Sequence, residues 1–459
     1  MEIKLKTDSR KVKPGDTFIA IRNVERDGHD YIESAIKNGA SKIICEEGNY
    51  DVETVIIPDT RAYLKDYLYQ NYYPEFKDMN LIGVTGTNGK TTICYMIYQM
   101  LEMLNHPASY MGTIGFYYHH HYLNMVNTTP DVDVLYDYFL KAKEAGCKTM
   151  VMEVSSHALA KDRIHGLEFD EVAFTNLTQD HLDYHKTMEN YAKAKQLLFK
   201  KTRNNKIAII NGDDPHAHYF MLDHNCNEII SDHQGDLVIN EIKFTHLGTY
   251  FSFDYQGNHY QTKIQMVGRY NVYNYLTALL LIHHLGYRIE DILALNDRLK
   301  APSGRMELIE YHQNGIFVDF AHTPDAVKNV LGSAKEFKKG RIITVMGCGG
   351  DRDPLKRPIM GEIASEGSDF VVITSDNPRS EDPNKIIDDI VKGLKHENYM
   401  IEPDRKKAIV KAMDMLEKDD ILLVLGKGHE NYQITSTGKH HYSDQEEIQK
   451  YIDQHEGNA

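Results

Sequence analysis

Gly83-Val84-Thr85-Gly86-Thr87-Asn88-Gly89-Lys90-Thr91-Thr92 decides how this chain is read. The apolar segment Asn80-Leu81-Ile82 precedes it, and Ile93, Met96, Ile97, Met100, Leu101 and Leu104 follow at helical spacing. A strand, a Gly-rich turn and a helix opening on Lys-Thr form the setting of a phosphate-binding loop. In such a loop, backbone N–H groups of the turn and helix N-terminus converge on nucleotide phosphates. Lys90 adds a mobile positive charge, and the Thr91 hydroxyl can ligate the Mg2+ that accompanies a nucleotide. The strict pattern places its first glycine at position 84, where this chain has Val84 and carries Gly83 instead. Gly86, Thr87, Asn88, Gly89, Lys90, Thr91 and Thr92 are therefore expected to hold the phosphates of ATP or GTP.

The 459 residues exceed one ordinary domain, and 41% hydrophobic content suffices for several cores. A formal net charge of −15 argues against non-specific nucleic-acid binding, so an anionic substrate must be held by local positive sites. Cys45, Cys94, Cys147, Cys226 and Cys348 are scattered and form no C-x-x-C pair, which suits a reducing compartment and offers no structural zinc site. The N-terminal residues lack a signal-peptide core, and the apolar runs Ala278–Ile282 and Ile421–Leu425 are too short to span a bilayer. A cytoplasmic, monomeric protein without membrane insertion is expected. Consecutive residues point in different directions, so His119-His120-His121 is expected to be a solvated hairpin tip, not a metal cluster.

Organisation follows from punctuation and period. Residues 1–79 read as a small α/β unit, with strand Thr17–Ile21, a helix from Tyr31 to Asn38 and strand Lys42–Cys45. Residues 80–302 carry the loop, strands Thr149–Val154, Val172–Thr175 and Ile207–Asn211, and a helix over Asn190–Lys200. Period-2 segments within Leu237–Phe253 predict antiparallel strands, followed by a helix over Tyr273–Leu285. After the break at Ala301-Pro302-Ser303-Gly304, residues 303–459 alternate strands Phe317–Phe320, Arg341–Met346, Phe370–Thr374 and Ile421–Leu425 with helices. That alternation predicts a doubly wound, Rossmann-like parallel sheet, giving a three-domain α/β protein with a mostly parallel central sheet.

Chemistry-bearing residues cluster at strand ends. Glu153, in Met152-Glu153-Val154-Ser155-Ser156-His157, can bind the Mg2+ of a nucleotide or stand as a strand-end acid facing solvent. A His in Asn176-Leu177-Thr178-Gln179-Asp180-His181-Leu182-Asp183-Tyr184-His185 can ligate metal or merely hydrogen-bond. Read alone, Asn127-Thr128-Thr129-Pro130 and Asp376-Asn377-Pro378-Arg379 are turns.

Taken together, these segments resemble the Mur ligases, ATP-dependent amide-forming enzymes of peptidoglycan precursor synthesis. The phosphate loop, Glu-Val-Ser-Ser-His and Thr-Asn-Leu-x-x-Asp-His-Leu-Asp-x-His carry the resemblance. So do Gly304-Arg305-Met306-Glu307, Asp319-Phe320-Ala321-His322-Thr323-Pro324-Asp325, Gly347–Asp353 and Gly426-Lys427-Gly428-His429-Glu430, in co-linear order. Within the family they are similar to the members that add diaminopimelate as the third amino acid. The resemblance implies an acyl phosphate formed with ATP, two Mg2+ ions, and Lys90, Glu153, His181 and Lys195 as catalytic residues. Thr91, Glu153, His181 and Lys195 (as a carbamate) would hold metal; by its flanking Lys193, Lys200 and Lys201 alone, Lys195 reads as one of a solvated helix. Asn271, Asn274, Arg305, Asp319 and His322 would serve the nucleotide's base and ribose. Ser9, Thr128, Thr129, Ser155, Lys161 and Arg163 would hold UDP-N-acetylmuramoyl-L-alanyl-D-glutamate, with Val24-Glu25-Arg26 on its uridine side. Arg352, Asp376, Asn377, Pro378, Arg379, Gly426 and Glu430 would recognise diaminopimelate. Arg379 is the side chain suited to a distal carboxylate that lysine lacks. Alternatives are lysine addition, a polyglutamate-type ligase lacking the Asp8-Ser9-Arg10 unit, and a catalytically silent nucleotide-binding scaffold.

Overall fold

The computed structural model describes residues 2–22, 27–125, 127–245 and 248–456. The chain divides into two units, Met1–Glu228 and Ile229–Ala459. The Val24–Arg26 turn lies outside the described residues.

The first unit opens with β1 (Leu5–Lys6), β2 (Thr17–Ile19), β3 (Lys42–Cys45) and β4 (Glu53–Ile56), all parallel in that order. Such strands are buried on both faces and read as apolar runs; Phe18 and Ile43 pack with Ile32 and Ala35 of helix Ile32–Lys37. A larger sheet follows, built from β5 (Asn80–Thr85), β6 (Ala108–Gly112), β7 (Gly115–Tyr118), β8 (His121–Leu123), β9 (Thr149–Glu153), β10 (Phe169–Phe174) and β11 (Thr202–Asn211). Within it the order is β11-β10-β5-β9-β6-β7-β8, parallel from β11 to β6 and antiparallel beyond. Parallel pairing sends the C-terminal ends of β5, β9 and β10 to one edge, where such sheets place ligands. A Cβ on Gly83 would stand 2.8 Å from Phe169 and 2.9 Å from Leu198. Gly83 is thus a packing residue that lets helix Met188–Lys200 close on the sheet, which explains its place outside the loop pattern.

β12 (Cys226–Ser231) crosses from the first unit to the second. The second unit continues with the antiparallel β13 (Leu237–Thr245), β14 (Gly248–Tyr255) and β15 (Asn258–Ile264), and with helix Arg269–His284. Its main sheet is formed by β16 (Glu307–Tyr311), β17 (Asn314–Asp319), β18 (Ile342–Met346), β19 (Phe370–Ile373), β20 (Tyr399–Ile401) and β21 (Ile421–Leu425). The order is β16-β17-β21-β18-β19-β20, parallel except for β16. Separate apolar clusters cover its two faces, one around Phe317, Val330 and Ile373, the other around Val318, Val345 and Ile409. A hairpin of β22 (Tyr432–Thr435) and β23 (Gly438–His441) follows.

Helix ends depart from the sequence reading. The loop helix runs Lys90–Met103, and Tyr31–Asn38 divides into a 3-10 turn, Gly28–Tyr31, and helix Ile32–Lys37. Helix Thr60–Phe76, rich in tyrosine and containing Pro74, gives no clean apolar stripe and was not foreseen. Residues 119–120 do form a hairpin turn, but His119 is not simply solvated: its Nδ1 is buried and faces Glu102.

Candidate active site

The phosphate loop is closed by contacts from the next strand end. A Cβ on Gly86 would fall 1.9 Å from Thr175 Oγ1, and Gly86 and Gly89 take φ +148° and +88°, so side chains are excluded at both. Thr175 Oγ1 donates to Asn88 O (2.5 Å), Asn88 N to Asn176 Oδ1 (3.0 Å), and Thr87 N to Asn176 O (2.8 Å). Thr175 and Asn176 thus brace the loop, a role the sequence reading missed although both stand in its Thr-Asn-Leu motif. Lys90 Nζ folds back to donate to Gly86 O and Thr87 O, both at 2.8 Å. Thr92 is buried in the first turn of the helix.

Glu153 ends β9 fully buried beneath this loop. Its carboxylate accepts from Thr91 Oγ1 (3.0 Å), Tyr110 OH (2.5 Å), Thr113 N (2.9 Å) and Thr113 Oγ1 (3.1 Å). Glu153 is therefore not a solvent-facing acid. Burial, then the Glu153 charge, pushes the Tyr110 phenol well above its usual range, so it stays a donor. A Cβ on Gly112 would lie 2.1 Å from Glu153 Oε1, which requires glycine there. Tyr110, Gly112 and Thr113 went unmarked in the sequence because they sit on a separate hairpin.

The same strand end organises the Asn127–Pro130 loop. Thr129 Oγ1 donates to Glu153 O (2.8 Å) and accepts from Ser155 N (3.1 Å), while Thr128 Oγ1 meets Thr113 Oγ1 at 3.1 Å. Ser155 caps helix Ser156–Ala160 through Ala158 N, and Arg163 Nη1 donates to Thr129 O (2.9 Å). Thr128, Thr129, Ser155 and Arg163 are thus one connected group. Lys161 and Arg163 line a cleft of about 460 Å3 with Thr7, Ser9, Arg10, Arg61 and Lys65 and the carboxylates of Asp8, Asp131 and Asp133, five basic side chains against three acidic ones. Ser9 itself is largely buried, and Asp8 pairs with Arg10 (2.8 Å).

Lys195 corrects the solvated-helix reading of its surroundings: it is 2% exposed. Its Nζ donates to Gly86 O (2.7 Å), the carbonyl Lys90 also uses, and lies 4.5 Å from the Tyr191 ring centroid. Burial, reinforced by the Lys90 charge, holds the Lys195 amine well below the usual lysine range. His181 has φ +53°, pairs with Asp180 (3.4 Å) and sets its ring edge-on to His157 at 4.7 Å.

In the second unit, Asn271 and Asn274 are buried on helix Arg269–His284; Asn274 Nδ2 donates to Asn271 Oδ1 (3.1 Å), and Asn271 Nδ2 to Val267 O (2.8 Å). Arg305 lies 5.5 Å from the Phe320 ring centroid, with its buried Nε unpaired. Asp319 accepts from Met306 N (2.7 Å); burial raises its pKa, opposed by Arg305. His322 Nδ1 meets Phe320 O at 2.7 Å.

The loops after β18, β19 and β21 gather the second polar cluster. Lys427, fully buried, donates to Asn377 Oδ1 (3.0 Å) and Tyr432 O (2.7 Å) and pairs with Glu430 (3.3 Å) and Asp376 (3.5 Å). Asn377 Nδ2 donates to Glu430 Oε2 (2.7 Å). Lys427 was overlooked as a lone cation inside a glycine-rich motif. A Cβ on Gly426 would crowd Asp376 Oδ2 at 2.7 Å, and one on Gly350 would meet Pro378 O at 2.0 Å. Arg379, at φ +53°, is half-buried and donates from Nη1 to Gly350 O (2.6 Å). Arg352 is exposed, with its Cγ 3.8 Å from a Cβ built on Gly349 and Arg379 Nη1 at 2.9 Å from the same point. The two guanidinium side chains therefore flank one loop.

Residues 4–72 match the Mur ligase family catalytic domain, 84–282 the Mur ligase middle domain and 304–428 the Mur ligase glutamate ligase domain; the chain belongs to the Mur ligase family. UDP-N-acetylmuramoyl-L-alanyl-D-glutamate–2,6-diaminopimelate ligase 1 of Clostridium acetobutylicum is 43% identical over 98% of this chain and 94% of its own length. The corresponding ligase of Fusobacterium nucleatum is 43% identical over 97% and 93%. A solved structure of such a diaminopimelate ligase is similar with a TM-score of 0.73 at 31% identity, covering 98% of this chain and 95% of that one. A MurF ligase from Thermotoga maritima in complex with ADP shares the fold at a TM-score of 0.67 and 19% identity, covering 100% of both chains. Among the described residues no helix is long and apolar enough to cross a membrane.

Proposed function

We propose that this protein is an ATP-dependent amide ligase joining meso-2,6-diaminopimelate to UDP-N-acetylmuramoyl-L-alanyl-D-glutamate in peptidoglycan precursor synthesis. The observation that carries this reading is the meeting of Lys90 and Lys195 on the Gly86 carbonyl, beside the Thr91–Glu153 contact. Its working division is residues 1–79 for the UDP-sugar peptide, 80–302 for ATP and 303–459 for the amino acid. It acts as a cytoplasmic monomer on small molecules, without nucleic acid.

The substrate carboxylate attacks the γ-phosphorus of ATP, ADP departs, and the acyl phosphate formed is taken by the incoming amine with loss of phosphate. Lys90 exchanges its carbonyl partners for phosphate oxygens, and the N–H groups of Gly86–Thr92 hold the chain of phosphates in line. Oxygen donors at Thr91 and Glu153, 3.0 Å apart, suit a hard cation. Mg2+ held by them, with His181 and Lys195 as a carbamate, would neutralise the converging negative charge. The depressed pKa of Lys195 supports the carbamate, because a neutral amine is what adds CO2. Asn271, Asn274, Arg305, Asp319 and His322 serve the base and ribose. Ser9, Thr128, Thr129, Ser155, Lys161 and Arg163 hold the sugar peptide. Arg379 and Arg352 take the distal carboxylate of diaminopimelate; Asp376, Asn377, Pro378, Gly426 and Glu430 shape its ammonium end.

Phosphate release with the UDP-dipeptide and ATP, compared across meso-diaminopimelate, lysine and no amine, tests the reading. Release that depends on diaminopimelate is expected. Equal release with lysine would reject the amino-acid assignment, and none with any amine would reject the ligase.

A further inference from the structure

The turn between β7 and β8 is built unusually for its length. Tyr118 pairs with His121, so His119 and His120 alone form the turn, and His119 takes φ +52°. That left-handed position favours glycine, with asparagine, aspartate and histidine the commoner exceptions. The turn is held by the P-loop helix and the neighbouring strand: Tyr98 OH donates to His119 O (2.8 Å), and His119 N to Ala108 O (3.1 Å). Glu102, in the last turn of helix Lys90–Met103, accepts from Ala108 N at Oε1 (2.8 Å) and turns Oε2 toward His119 Nδ1 at 3.4 Å. His119 Nδ1 is buried and makes no hydrogen bond. The His119 and His120 ring centroids stand 3.8 Å apart, and ligand atoms of Glu102, His119 and His120 lie within 4.8 Å of one another. His121 leaves the group and stacks on Tyr118 at 5.0 Å.

We propose that Glu102, His119 and His120 form a binding site for a divalent transition-metal ion of the zinc type, distinct from the Mg2+ of the reaction. Two imidazoles and one carboxylate select zinc, cobalt or nickel over magnesium, which takes oxygen donors. Bonds of about 2.0–2.1 Å in a tetrahedron put ligand atoms roughly 3.4 Å apart, the separation already present between Glu102 and His119. Exposed His120 closes the remainder by rotating its ring, and water fills the open position. A carboxylate at a helix C-terminus opposes the helix dipole, and a bound cation relieves that opposition. The ion would tie the far end of the P-loop helix to the hairpin that leads into the Asn127–Pro130 loop.

The test titrates the full-length protein, in millimolar Mg2+ to occupy oxygen sites, with Zn2+ by calorimetry and with Co2+ by its visible absorption. One saturable equivalent with nitrogen-ligated Co2+ bands is expected. Since even the loss of an outer partner weakens metal sites by roughly 10–100-fold, His119→Gln and His120→Gln should each weaken binding at least tenfold. Glu102→Gln, which keeps the acceptor for Ala108 N, should weaken it likewise, and His121→Gln should bind as wild type. No saturable equivalent, or equal affinity in His119→Gln, His120→Gln and wild type, would overturn the site.

Discussion

Replacing Arg379 by asparagine separates its guanidinium from the backbone that carries it. Arg379 sits at φ +53°, where asparagine is tolerated far better than alanine, and its N–H bond to Ile434 O (3.0 Å) survives the change. What disappears is the Nη1 bond to Gly350 O and the planar fork proposed to meet the distal carboxylate of diaminopimelate. Two charge-assisted hydrogen bonds at about 1.5–3 kcal/mol each give about 3–6 kcal/mol. Because Arg379 is only half-buried and Arg352 remains nearby, screening reduces this to about 2–4 kcal/mol. That is a fall of roughly 30- to 1,000-fold in kcat/KM for diaminopimelate. Lysine has no distal carboxylate, so its kcat/KM should hold or rise. Arg379→Lys keeps the charge without the fork and should fall between, about tenfold below wild type. Initial rates of phosphate release at saturating ATP and UDP-dipeptide, with each amine varied, measure both ratios. A diaminopimelate kcat/KM in folded Arg379→Asn indistinguishable from wild type would refute the assignment.

The other perturbations probe separate links. Gly86→Ala forces a Cβ to within 1.9 Å of Thr175 Oγ1, so the loop must shift, and kcat/KM for ATP should drop about 100-fold in steady-state kinetics. Lys195→Ala should cut kcat by about 100-fold or more without added anions, and short carboxylates should restore part of the rate; near-normal activity without them rejects the carbamate. Lys427→Met strands Asp376 and Glu430 without their buried cation and should cost about 3–5 kcal/mol in denaturant unfolding. Glu171 is buried with Oε2 unpaired, and burial, then Asp170, lifts its pKa well above the ordinary 4.5. The folded state then holds a proton that the unfolded state releases, so Glu171's contribution to stability is complete below about pH 4.5 and is lost as pH rises through the folded pKa. Glu171→Gln should flatten the decline in melting temperature on that alkaline side; an unchanged pH profile rejects this.

Parallel sheets were legible because their strands are continuous apolar runs ended by polar loops. Ile421–Leu425 was read to the residue, and Leu237–Phe253 was recognised as antiparallel from its period. What escaped depended on contacts between distant segments. Thr175 looks like any strand-end threonine until it stands against Gly86, and Tyr110 like any apolar-strand tyrosine until its OH meets Glu153. Gly83 was legible as a glycine but not as the floor for Phe169 and Leu198. Lys195 shows the limit most sharply, because the nearby lysines Lys193 and Lys200 are exposed while its own side chain turns inward.

The partner each cation keeps separates those poised for ligands from those that hold the fold. A chain of net charge −15 can hold an anion only through local positive charge. Lys90 and Arg379 hydrogen-bond backbone carbonyls of Gly86, Thr87 and Gly350. Yielding such a bond to a phosphate or carboxylate exchanges a charge-to-dipole contact for a charge-to-charge one, which favours the ligand. Lys427 and Arg405 instead face the carboxylates of Asp376, Glu430 and Asp444 inside the protein, where a ligand would have to break a desolvated ion pair first. By this criterion Lys427 is a positioning residue, although it stands within the motif assigned to the amino acid. Its removal should therefore disturb Asn377 and Glu430 together, raising KM for the amine while leaving KM for ATP in place.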